Sequence, residues 1–195
     1  MKKILVSAGR ISVIAAFVVV AAGMAIMFGD SAATAQQKRT PSDKSPAAEA
    51  HCKFADGKTI DVSYSSPRVN GRKIHGTDGL NPDGQVWRAG AQEATTFEPN
   101  TDVVVGGKDV PAGSYTIFVI PNQDKWTFIV SKKTGEWGIP YPGQQFDLIR
   151  TDEMKPSALT NHVENFTISF DSKGKTCTLN MDWAETRASI KIDEK

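Results

Sequence analysis

Arg68, Arg72 and Lys73 fall within one six-residue stretch, followed closely by His75 and Asp78. A guanidinium presents paired N–H donors that match the two oxygens of a carboxylate or phosphate, so such a cluster can clamp an anion. The same loop can also be a solvated one whose arginines pair with Glu93 or Glu185, contacts that individually contribute little. A second polar patch runs through Trp87-Arg88 and Glu93-Ala94-Thr95-Thr96. There Glu93 can serve as a general base with Arg88 as anion clamp, or the two can tie a loop to the fold without catalysis. A carboxylate with no partner acid, nucleophile or metal favours the second role. A third feature is the Pro- and Gly-rich loop Glu136–Gly143, which carries Trp137 and Tyr141. These rings can stack on a sugar or a peptide, or cap one end of the core.

Other chemistry finds less support. The three histidines, His51, His75 and His162, show neither His-x-His nor His-Glu-x-x-His spacing. No metal site and no cofactor are expected from them. Ser65, Ser66 and Ser114 lack the Gly-x-Ser-x-Gly surroundings of a nucleophile elbow. Cys52 and Cys177 are the only cysteines and are far too distant in sequence for a Cys-x-x-Cys site. An even pair in an oxidising compartment reads as a disulfide. Closing the 124 intervening residues would stabilise by about 4–5 kcal/mol in the chain-entropy picture.

The compartment follows from the first 35 residues. Lys2, Lys3 and Arg10 precede an apolar run of 18 residues, Ile11–Phe28, and Ala33-Thr34-Ala35 supplies a small-residue cleavage pattern. Residues 1–35 thus read as a signal peptide, and the protein as periplasmic or secreted. The run is also just long enough to stay in a membrane as an anchor if it is not cut. Cleavage removes three of the 23 Lys and Arg and one of the 22 Asp and Glu, leaving 20 basic and 21 acidic side chains. A formal charge so near zero carries no footprint for nucleic acid, nor for a membrane unless the N-terminal segment is retained.

The elements that must position these residues are strands. Residues 36–50 are rich in Lys, Ser, Pro, Ala and Gln without periodicity and read as a disordered leader. Residues 51–195 fit a single domain with its own core. Alternation marks Ile60, Val62 and Tyr64; Trp126, Phe128 and Val130; Phe166, Ile168 and Phe170; and Ala188, Ile190 and Ile192. The clearest case is Thr176–Trp183, with Cys177, Leu179, Met181 and Trp183 inward and Thr178, Asn180 and Asp182 outward. Ser114–Ile120 is apolar on both faces, as in a central strand. Turn residues at Gly106-Gly107, Pro121–Asp124, Lys132–Gly135 and Asp171–Gly174 separate the runs at hairpin spacing. Only Thr151–Leu159 suggests a short helical turn. The pattern predicts an all-β domain, an antiparallel β-sandwich or flattened barrel of about eight to ten short strands.

Four motifs occur within this framework in order: Tyr64–Ile74, Val86–Phe97, Pro111–Tyr115 and Trp183–Ser189. With them the chain resembles the bacterial family of exported proteins catalogued as domain of unknown function 2911, from about Lys58 to Ile192. The resemblance implies an exported β domain and no activity. Where the family pattern reads Ala-Asn-Glu-Ala, Gln92 replaces the Asn, which keeps an amide with a different reach. The expectation is a non-enzymatic envelope protein that binds a small molecule, a glycan or another envelope protein. The ligand-binding candidates are Arg68, Arg72, Arg88, Glu93, Trp137 and Tyr141. The alternative is a small periplasmic hydrolase whose site uses Arg88 and Glu93.

Overall fold

The computed structural model describes residues 42–195. The expected signal peptide, its cleavage after Ala35 and the first part of the leader, residues 36–41, lie outside the described residues. Nine strands form one antiparallel sheet in the order β1-β2-β3-β6-β7-β8-β9-β4-β5. They are β1 (Ala47–Lys53), β2 (Thr59–Ser65), β3 (Thr95–Pro99), β4 (Val103–Val105), β5 (Lys108–Val110), β6 (Tyr115–Ile120), β7 (Trp126–Ser131), β8 (Asp147–Lys173) and β9 (Thr176–Glu194). Alternation places Ile60, Val62, Tyr64, Trp126, Phe128, Val130, Ala188, Ile190 and Ile192 in the core. β6 lies between β3 and β7 and buries both faces, as its doubly apolar sequence requires.

Two strands are far from short. β8 has 27 residues and β9 has 19, well beyond the usual strand length of about 5–6. The first part of β8 pairs with β7 and the remainder with β9, with register shifts between Ala158 and Thr167. This one strand therefore carries the sheet from one layer into the other. The layers close where Tyr64 Oη accepts from the Ile168 N–H (3.0 Å) and Ser66 Oγ donates to the Phe166 carbonyl (2.7 Å). Cys52 on β1 and Cys177 on β9 are joined by a disulfide, their Cα atoms 6.3 Å apart. The crosslink thus spans the two layers.

Three local expectations are corrected. Thr151–Leu159 is strand, because Thr151 and Met154 pair with Phe128 and Trp126 while Lys155–Ala158 pair with β9. The helical piece among the described residues is the 3-10 turn Gln144–Phe146. Lys132–Gly135 opens the long connection to β8 rather than a hairpin, so Trp137 and Tyr141 ride on a loop and not beside a turn. Ordered chain also starts before residue 51. β1 begins at Ala47 because Ala47–Lys53 pair along β2, burying Ala50 and Cys52.

β9 shows how polar residues can share a buried strand. Leu179, Met181 and Trp183 face the core as the alternation predicts, yet Asn180 and Asp182 are buried too. Ala184 adopts φ 54° opposite Val163, where the register shifts because β8 carries extra residues against β9. Arg187 can then reach back to Asp182 with two hydrogen bonds of 2.7 and 2.6 Å. Ser189 Oγ donates to Asn180 Oδ1 (2.6 Å), and Asn180 Nδ2 donates to Asp171 (2.8 Å).

A basic cleft as candidate functional site

The connection from β2 to β3 holds most of the candidate residues. Trp87 is locked by a two-way backbone pairing with Val119 and by its indole N–H, which donates to the Gly90 carbonyl (3.0 Å). Thr95 Oγ1 donates to the Ala89 carbonyl (2.7 Å), and the Ala91 N–H donates to the Ser65 carbonyl (3.1 Å). Gly90 is required by this tight fold: a Cβ there would lie 2.9 Å from Thr95 Oγ1 and 3.1 Å from the Ser65 carbonyl oxygen. Ala89 and Gln92 both take left-handed backbone conformations, φ 51° and 58°. Position 92 is where the family pattern has Asn, and Asn enters this region more easily than longer residues do. The constraint at this position is therefore in the backbone first. The amide has a use as well, since Gln92 Nε2 donates to the Ser45 carbonyl (3.1 Å) and holds the incoming chain.

Around this loop opens a cleft of about 560 Å³. Arg68, Arg72, Arg88 and Tyr141 all line it, so the structure brings together four of the six candidates. Lys44 adds a further cation from the segment expected to be disordered. Trp87 and Trp183 lie in the wall, stacked at 5.4 Å between centroids, with the Phe166 ring packed edge-on against both. Among the described residues, every charged side chain lining the cleft is basic.

Two of the arginines donate to backbone carbonyls. Arg72 donates from Nε to the Val69 carbonyl (3.0 Å) and from Nη2 to the Arg68 carbonyl (2.5 Å). Arg88 Nη1 donates to the Trp137 carbonyl (2.8 Å), and its guanidinium sits over the Trp137 ring, 5.2 Å from the centroid. Gly138 makes this close approach possible, with φ 81° and room for no Cβ beside Ala94 and Arg88. Burial pushes the Arg88 pKa down, and the nearby Glu93 charge opposes that shift. The guanidinium remains a cation throughout the physiological range. Glu185 is engaged elsewhere, accepting a hydrogen bond from His162 Nδ1 (2.7 Å).

Glu93 does not line the cleft, although its charge is felt by Arg88. Trp137 lies at the rim, 53% exposed, and so does not act as a buried cap. Tyr141 packs edge-on against Phe118 at 5.1 Å and donates to Asp147, which also pairs with Arg150 at 3.2 Å. Burial, with the Asp147 carboxylate beside it, pushes the Tyr141 pKa up to about 12. Tyr141 is thus a neutral phenol in the wall.

Two contributors escaped the sequence reading. Asn81 and Trp183 are buried in the lining, and the donors Asn81 Nδ2 and Trp183 Nε1 have no hydrogen-bond partner. Trp183 reads from its alternation only as core. Asn81 sits in a turn sequence with no motif to mark it. Buried polar groups are nearly always satisfied, so two orphaned donors in one wall are informative.

The arrangement defines a β-sandwich protein with a donor-rich, cationic cleft and no acidic group in its lining among the described residues. The chain belongs to the family described as protein of unknown function DUF2911, whose model matches residues 45–192. No curated protein and no solved structure matches it. Three of the four family motifs, Tyr64–Ile74, Val86–Phe97 and Trp183–Ser189, contribute residues to the cleft. Pro111–Tyr115 instead closes a turn, where the Tyr115 hydroxyl donates to the Pro111 carbonyl (3.0 Å).

Proposed function

We propose that the protein is an exported, non-enzymatic binding module whose cleft takes a small molecule bearing a phosphate or carboxylate group. The observation that carries this reading is the one-sided chemistry of the lining. Lys44, Arg68, Arg72 and Arg88 supply cationic donors, and Asn81 and Trp183 hold buried N–H groups that lack acceptors. An oxyanion supplies what both sets lack, because its oxygens only accept. Backbone strain supports the same place. Among the described residues, the four non-glycine residues with positive φ are Asn70, Ala89, Gln92 and Ala184, and each lines the cleft or adjoins a residue that does. Such conformations cost on the order of 1–3 kcal/mol each and cluster where function requires them.

The hydrolase alternative needs Glu93 beside a substrate held by Arg88, and Glu93 is not among the residues that line the cleft. An extracytoplasmic location suits the Cys52–Cys177 crosslink, which an oxidising compartment maintains. Titration calorimetry with inorganic phosphate and citrate tests the reading. The expected result is saturable binding that weakens with added salt and is lost in Arg68→Gln/Arg88→Gln. Undiminished binding in that variant, or turnover of a phosphate ester that stops in Glu93→Gln, would overturn it.

A further inference from the structure

Among the described residues, the large hydrophobic side chains left exposed are Leu80, Trp137 and Ile139, at 47%, 53% and 59%. All three belong to one place. Leu80 and Ile139 line the basic cleft, and Trp137 stacks under Arg88 at its rim. Apolar side chains scattered singly over a surface need no explanation, but these converge around four cations.

We propose that this face docks on an anionic phospholipid surface, with a lipid phosphate entering the cleft while Leu80, Trp137 and Ile139 enter the interfacial layer. The proposal rests on the anion-binding reading above and names the source of the anion. A soluble acidic sugar would satisfy the arginines and leave Leu80 and Ile139 in water. A bilayer surface offers phosphates and hydrocarbon at the same depth, and Trp favours that boundary. The near-zero formal charge of the chain does not oppose this, because the cations are gathered locally, where each adds to attraction within a Debye length. The chain also enters the cleft at Lys44. The 15 residues from Gly29 to Asp43 reach at most about 50 Å.

The test uses the full chain and vesicles with brominated acyl chains, which quench only tryptophans that reach them. Trp137 is the exposed one, while Trp87, Trp126 and Trp183 are buried. Quenching is expected on phosphatidylcholine vesicles containing phosphatidylglycerol, and it should vanish in Trp137→Phe. Leu80→Ser/Ile139→Ser should reduce it without unfolding the protein, since both side chains are already exposed. Arg68→Gln and Arg88→Gln should each weaken vesicle binding by about fivefold. Equal quenching on pure phosphatidylcholine, or quenching that persists in the arginine variants, would assign it to the N-terminal apolar run and overturn the proposal. Calorimetry with glycerol phosphate separates the two levels. Binding of glycerol phosphate without Trp137 quenching would sink membrane docking and leave the anion site standing; absence of both would sink the anion site too.

Discussion

Two clefts flank the connection between β2 and β3, and they differ in what they do with charge. The basic cleft gathers Lys44, Arg68, Arg72 and Arg88 with no acidic side chain in the lining. Its neighbour, about 610 Å³, mixes Lys73 and His75 with Asp83 and Glu185. In that second cleft acidic and basic side chains share the lining, and Glu185 is held by His162. Residues of one loop serve both: Arg72 and Leu80 face the first, Lys73, His75 and Asp83 the second. An aromatic wall separates them, running from Trp87 through Trp183 and His75 to Trp126 at centroid spacings of 5.4, 6.4 and 5.0 Å. Size does not set the proposed anion cleft apart. The single sign of charge in its lining does, since a protein gains nothing in stability from collecting like charges unless something else neutralises them.

The wall gives the largest expected effect. Trp183→Ala removes a side chain 2% exposed and should destabilise by about 4 kcal/mol, read by urea unfolding. Trp137→Ala at the rim should leave the midpoint within about 0.5 kcal/mol of wild type. Similar losses for both would mean that the rim is as structural as the wall.

Titration separates the clefts next. Burial drives the His75 pKa from 6.5 down to about 4, opposed by Asp83 and Glu185. Its neutral form is favoured in the fold, so the unfolded chain binds the extra proton as pH falls below 6.5. The stabilisation is complete above that value and is lost as pH falls toward 4, up to about 3 kcal/mol in all. His75→Phe should flatten this part of the pH–stability curve. Phosphate affinity of the basic cleft should carry no such histidine signature, because guanidinium groups do not titrate there. An affinity profile that tracks His75 would show that the two clefts are one site.

The smallest effects compare two arginines. Arg187 makes a bidentate pair with buried Asp182, and Arg187→Ala strands that carboxylate at a cost of about 2 kcal/mol. Arg88 donates to the Trp137 carbonyl and also feels the Glu93 charge. Arg88→Ala should therefore cost only about 1 kcal/mol while abolishing phosphate binding by calorimetry. A loss as large as that of Arg187→Ala would return Arg88 to a structural role.

Strand alternation was legible because a half-buried strand writes its facing into every second residue; Cys177, Leu179, Met181 and Trp183 all lie inward. The burial of Asn180 and Asp182 was not, since their partners Asp171, Ser189 and Arg187 are brought to them only by strand pairing and side-chain reach that alternation does not encode. At the candidate site, arginines and aromatics could be nominated by type, and four of six meet in the cleft. Glu93 was nominated for its neighbour in sequence, which says little about where its side chain points across a loop with two left-handed residues.

Residue order alone determined the all-β class, the pairing of the only two cysteines and the family, for these rest on local periodicity, composition and motif succession. Tertiary structure decided which charges share a lining. Arg68, Arg72 and Arg88 become a single cationic lining, and Glu185 and Asp182 are drawn away to His162 and Arg187. Charge pairing depends on distances of a few ångströms between segments far apart in the chain, and only the closing of β1 and β2 onto β8 and β9 sets those distances.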